Sequence, residues 1–208
     1  IQAFRYASEP FFFKDQINKD SKETLSKVMN YFIIVLVFTF LVITMYLHIF
    51  KYFIPNSNYW VGLKVVPVLL AANICLGIYT SLSIWYKLSE KTIFGSLISI
   101  TGVIITLIIN FLFIPKYGYL ASAYATLGCY GSMMLISYFF GQYFYPVKYK
   151  IRKFLVYFLS GGLIYYLSLD FNGQESFSLI EYGYQSILIV CYIVLVYLME
   201  RPQKKVIL

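Results

Sequence analysis

Residues 92–115 read TIFGSLISITGVIITLIINFLFIP, twenty-four positions without an ionisable side chain. A helix rising ~1.5 Å per residue crosses ~30 Å of hydrocarbon with about 20 such residues, so this stretch predicts a membrane-spanning helix. The surrounding sequence repeats the pattern. From Val28 to Phe50 the ionisable groups are tyrosines and His48; Val65 to Tyr86 and Tyr117 to Val147 carry no charge. Phe154 to Leu169 and Tyr182 to Met199 are shorter and serve as a fifth and sixth span. Ile1 to Phe13 reads as the last turns of an earlier helix, and no Met precedes it. The expectation is the C-terminal part of a longer chain, with six full spans and part of a seventh.

Composition agrees with that reading. Of 208 residues, 60% are hydrophobic and 12% charged, and mean hydropathy is +0.72; ordinary soluble domains carry about 25% charged residues. A soluble globule and a disordered segment are both excluded, the latter because disorder needs low hydrophobicity. The net charge of +8 resides in alternate connections, which argues against nucleic acid as its partner. Lys14, Lys19, Lys22 and Lys27 sit in the first loop, Lys87 and Lys91 in the third, and Lys148, Lys150, Arg152 and Lys153 in the fifth. Arg201, Lys204 and Lys205 lie in the tail, and with Arg5 these make fourteen of the seventeen basic residues. The opposite side holds Lys51, Lys64 and Lys116 with Asp170, Glu175 and Glu181. The positive-inside rule then places the first loop and the C-terminus in the cytoplasm.

Cys75, Cys129 and Cys191 lie in separate apolar stretches without CxxC spacing or clustered His, so neither disulfides nor a metal site is expected. Tyr52, Tyr59, Trp60, Trp85, Tyr86, Tyr117, Tyr143, Tyr145 and Tyr149 gather near span ends and read as interfacial belts; stacking on sugar faces is the alternative. Ala121, Ala125 and Cys129 recur every fourth position, with Gly128 and Ser132 one row over. That stripe predicts close helix packing.

Two stretches carry a resemblance. Asn110-Phe-Leu-Phe-Ile-Pro115-Lys116-Tyr117-Gly118, followed by Ala121-Ser122-Ala123-Tyr-Ala125-Thr126, resembles a hairpin between late helices of bacterial polysaccharide flippases. Phe4-Arg5-Tyr6-Ala7-Ser8-Glu9-Pro10-Phe11-Phe12-Phe13 before a lysine-rich loop is similar to the end of the eighth helix in that group, part of the multidrug/oligosaccharidyl-lipid/polysaccharide exporter superfamily. The resemblance implies an all-α polytopic helical bundle forming the C-terminal lobe of a two-lobe transporter. Residues 1–13 would end a helix, 14–147 supply four spans, and 148–208 two further spans and a cytoplasmic tail. It also implies a multi-pass protein of the bacterial inner membrane that flips a lipid-linked oligosaccharide by alternating access, with no enzymatic activity and no cofactor. The partners would be a polyprenyl-pyrophosphate glycolipid and membrane lipids.

Such a substrate needs cations for its pyrophosphate and hydrogen-bonding groups for its sugars. Arg5, with Glu9 one turn away, and Lys64, about 7 Å into its span, are the cation candidates; each has an alternative reading as a snorkelling interfacial side chain. Asn73 and Asn110 are amides inside spans and must find partners, in a wet cavity or on a neighbouring helix. Pro67 precedes Asn73 and can kink its helix. Pro115 should end its helix and Gly118 permit the turn. The competing readings are an ion-coupled multidrug exporter of the same superfamily and a membrane glycan polymerase or ligase. The latter conflicts with the longest external connection, Asp170 to Glu181, which holds no His, Lys or Arg.

Overall fold

The computed structural model describes residues 1–15, 21–169 and 179–201, and among them helices are the only regular structure. Lys19, Asp170, Glu175, Lys204 and Lys205, used above for orientation, lie outside the described residues. The helices are α1 (Gln2–Asp15), α2 (Ser21–Met45), α3 (Leu47–Phe50), α4 (Val66–Leu82), α5 (Ile84–Leu88), α6 (Ile93–Tyr117), α7 (Tyr119–Phe144), α8 (Ile151–Leu169) and α9 (Leu179–Glu200). Two 3₁₀ turns, Lys51–Phe53 and Ser57–Val65, join α3 to α4.

Two helices act as posts. On α2 the buried residues Leu25, Met29, Ile33, Val37, Leu41 and Met45 recur every fourth position, each at most 2% exposed. Four residues advance a helix by 400°, so this row winds roughly 200° around α2 over about 30 Å. Its upper part therefore meets several neighbours: Ile74 and Leu82 of α4, Ile164 of α8, and Leu188, Ile189 and Tyr192 of α9. Leu25, at its lower end, packs with Phe12 of α1 and with Ile84 and Leu88 of α5.

The second post, α7, uses small residues. Ala121, Ala125, Ser137 and Gly141 are buried along one row, and α7 packs against α4 on one side and α6 on the other. A Cβ on Gly102 of α6 would sit 2.7 Å from Met133 Sδ, and one on Gly128 of α7 would sit 3.1 Å from Ile109 Cδ1. The small-residue stripe thus brings two backbones close together, as its spacing predicts. Since α4 touches both posts, the bundle runs α6, α7, α4, α2, then α8 and α9.

Among the described residues, four segments are long and apolar enough to cross a membrane: Ser21–Met45, Asn58–Leu88, Ile93–Tyr117 and Glu181–Glu200. The expectation was six. Helices α7 and α8, of 26 and 19 residues, are not among the four.

Local readings are corrected in three places. Pro67 stands in the first turn of α4, where no intrahelical N–H is lost, so it starts the helix instead of kinking it. Pro115 lies inside the last turn of α6, which continues to Tyr117 and stops at Gly118, whose φ of 59° and ψ of −141° suit a residue without Cβ. Trp85 and Tyr86 are core residues, 1% and 8% exposed. The indole N–H of Trp85 donates to Ser137 Oγ at 3.2 Å, and its ring fills the space that Gly141 leaves on α7. Tyr52, Tyr59, Tyr117 and Tyr143 are exposed, as a belt requires.

Candidate functional site

The α1 helix is pinned to α2 by stacking of Phe4 on Phe32, ring centroids 3.7 Å apart, and by Phe12 in the cluster around Leu25. Between the first turn of α1 and the facing sides of α2 and α4 lies an open groove of about 570 Å³. Its walls are apolar, from Leu36, Phe40, Leu70 and Leu76, and its polar side chains are Gln2, Thr39 and Asn73.

These polar groups have a common arrangement. Asn73 Nδ2–H donates to Leu69 O at 2.8 Å, and Thr39 Oγ1–H donates to Val35 O at 2.8 Å. Each satisfies a donor on its own helix and keeps an oxygen able to accept. The groove is therefore suited to donors such as the hydroxyls of a polyol. The partner of the Asn73 amide is thus its own helix, where the sequence suggests a wet cavity or a neighbouring helix.

The other expected residues are dispersed. Arg5 is half-buried one turn beyond Gln2 on α1, an i,i+3 neighbour, with its guanidinium carbon 5.4 Å from the Tyr6 ring centre. It is not among the residues that line the groove. The Glu9 side chain lies outside the described residues, so the Arg5–Glu9 pair is not placed. Lys64 is exposed in the 3₁₀ turn before α4 and lies six residues past Asn58, inside the Asn58–Leu88 segment that is long and apolar enough to span. Asn110 is half-buried on α6, across α7 from the groove, and its Oδ1 has no hydrogen-bond partner among the described residues. Of these candidates Asn73 is in the lining of the groove, and Arg5, Lys64 and Asn110 are not.

A second polar cluster was not expected from the sequence. Glu200 Oε1, at the end of α9, accepts from Lys153 Nζ at 2.6 Å, Tyr157 Oη at 2.5 Å and Asn30 Nδ2 at 2.9 Å. Lys153 also donates to Met199 O at 2.9 Å. Three side chains from α2 and α8 thus meet on one oxygen of α9. By sequence Lys153 reads as one more cytoplasmic charge; the available signal is Asn30, an amide placed just inside an apolar run. Gln185 of α9 is fully buried, and neither of its amide atoms finds a partner among the described residues.

Comparison with protein-family models, curated proteins and solved structures produces no match for this chain.

Proposed function

We propose that this chain is a polytopic protein of the bacterial inner membrane, with its C-terminus in the cytoplasm, forming one lobe of a flippase for lipid-linked oligosaccharide. The single observation that carries this reading is the groove between α1, α2 and α4, where an apolar cleft presents acceptor oxygens from Asn73 and Thr39 and is lined on α1 by Gln2, three residues before Arg5. Sugars carry many hydroxyl donors, and an arginine can grip a pyrophosphate through two parallel hydrogen bonds. Support for a bilayer comes from the outside of α6, where Ile93, Leu107 and Phe111 are 68%, 63% and 84% exposed. An apolar face of that extent is unfavourable in water and natural in lipid.

In the protein expressed from its intact gene, Arg5→Ala and Asn73→Leu should each lower surface polysaccharide per inserted molecule at least about tenfold, the loss of one charge-assisted or buried polar contact. Arg5→Lys should retain part of the activity, since it keeps the charge and loses the fork. Near wild-type export by both Arg5→Ala and Asn73→Leu would overturn the assignment of the groove.

A further inference from the structure

At the end of the bundle that holds the Glu200 cluster, the start of α2 and residues 146–150 enclose a basin of about 460 Å³ lined by Lys22, Lys27, Lys148 and Lys150 with Glu23 and Ser26. Four lysines against one carboxylate leave three positive charges in excess. Two of the lysines are engaged: the Lys22 ammonium lies 4.3 Å from the Tyr145 ring centre, and Lys27 pairs with Glu23 at 2.8 Å. Lys150 also attracts the Glu23 carboxylate, so Lys27 and Lys150 share that one acid, and among the described residues no carboxylate partner is recorded for Lys148.

The segment that carries them is held in place. Ser26 Oγ–H donates to Lys148 O at 2.9 Å, and Gln142 Nε2–H donates to Val147 O at 2.9 Å. Two successive three-residue turns follow, Tyr149 N–H to Val147 O and Ile151 N–H to Tyr149 O, both 3.0 Å. The result is a strict alternation in which Val147 is buried, Lys148 exposed, Tyr149 half-buried and Lys150 exposed. Like charges gathered on a fixed backbone repel one another, which an anion would relieve.

The other side of the same segment opens into a second cavity. About 370 Å³ in volume and almost wholly apolar, it lies among α2, α4, α7 and α8, lined by residues that include Met29, Ile33, Leu135, Phe139, Leu155 and Phe158. Leu135, Phe139 and Leu155 are 52%, 67% and 56% exposed, so this cleft opens sideways between α7 and α8. Lys150 lines the basin and Ile151 the cleft, and consecutive Cα atoms are ~3.8 Å apart. A cationic basin thus adjoins an apolar slot that faces outward.

We infer that this pair of cavities is a binding site for an anionic phospholipid of the surrounding leaflet, its phosphate among Lys148, Lys150 and the other basin lysines and one acyl chain in the α7–α8 cleft. Charge complementarity selects the head, and the lateral opening selects a ligand arriving from the bilayer. A soluble phosphate would use the basin alone. The inference rests on the membrane reading given above and not on the substrate exported.

The test uses the purified full protein in nanodiscs of equal phosphatidylglycerol and phosphatidylcholine, with the lipid retained after detergent extraction measured by mass spectrometry. Wild-type protein should retain phosphatidylglycerol in several-fold excess. Each of Lys148→Gln and Lys150→Gln should cut that excess, up to about fivefold per lysine. Leu155→Trp, an exposed position that fills the cleft, should reduce the retained lipid while leaving the basin lysines in place. Insertion with no lipid preference, a preference unchanged by all three variants, or equal displacement by millimolar inorganic phosphate would overturn the inference alone. Failure to enter the bilayer would overturn the membrane reading with it.

Discussion

Glu200→Ala should be among the most destabilising single changes in the chain. One carboxylate oxygen accepts from Lys153, Tyr157 and Asn30 at 2.5–2.9 Å, and each hydrogen bond to a charged group contributes about 1.5–3 kcal/mol when sheltered. The ion pair keeps side-chain exposures of 25% for Lys153 and 20% for Glu200, so water replaces part of what is lost, and Lys153 keeps its bond to Met199 O. Discounted for that screening, the total falls to about 2–3 kcal/mol. For a chain of this size the midpoint of thermal unfolding should drop by roughly 5–10 °C, followed by helical circular dichroism in detergent. Glu200→Gln retains an acceptor for Asn30 and Tyr157 and should lose about half as much. A cycle with Lys153→Ala should give a coupling of at least about 1 kcal/mol. A shift under about 1 °C for Glu200→Ala would show that α9 is held to α2 and α8 by apolar packing alone.

The topology can be read by thiol labelling once Cys75, Cys129 and Cys191 are removed: Lys22→Cys and Lys150→Cys should resist an impermeant reagent in intact cells while Asn58→Cys reacts, and the reverse pattern would invert the orientation. Two adjacent glycines on α8 should separate packing from propensity. A Cβ on Gly161 would lie 2.5 Å from Val37 Cγ1, whereas one on Gly162 meets nothing within 4 Å. Gly161→Ala should therefore cost about 1–3 kcal/mol, and Gly162→Ala should be stabilising by about 0.5–1 kcal/mol; similar effects of both on thermal stability would refute the close approach of α2 and α8.

How much of the molecule was legible depends on the distance over which each feature is decided. The α6–α7 hairpin could be read because everything that shapes it is local: an apolar run, a glycine at the turn, and a four-residue repeat of small side chains. Trp85 reads as a belt residue because a belt aromatic and a core aromatic have the same sequence context; its burial follows from Gly141 and Ser137, more than fifty residues away, while Tyr86 packs against the nearer Gly95 and Tyr79. Among the candidate site residues, Asn73 lines the groove because α1 returns to cover the α2–α4 contact. Lys64 sits inside the Asn58–Leu88 segment but not in the groove lining, because the groove forms further along, at Leu70, Asn73 and Leu76 of α4.

Chain chemistry alone determines that these residues form apolar helices joined by basic and nearly uncharged connections in alternation, since hydrogen-bond satisfaction within a helix and the cost of burying charge are local quantities. Partner choice belongs to the tertiary structure. The i+4 row on α2 could have faced any neighbour, and its winding, shared among α4, α8 and α9, emerges only when the helices are packed. The same holds for Glu200, Lys153, Tyr157 and Asn30 meeting on one oxygen, and for two lysines and an apolar cleft on opposite sides of residues 146–151. Contacts spanning up to 170 residues leave no periodic trace in the sequence, because each partner satisfies its own helix equally well without the other.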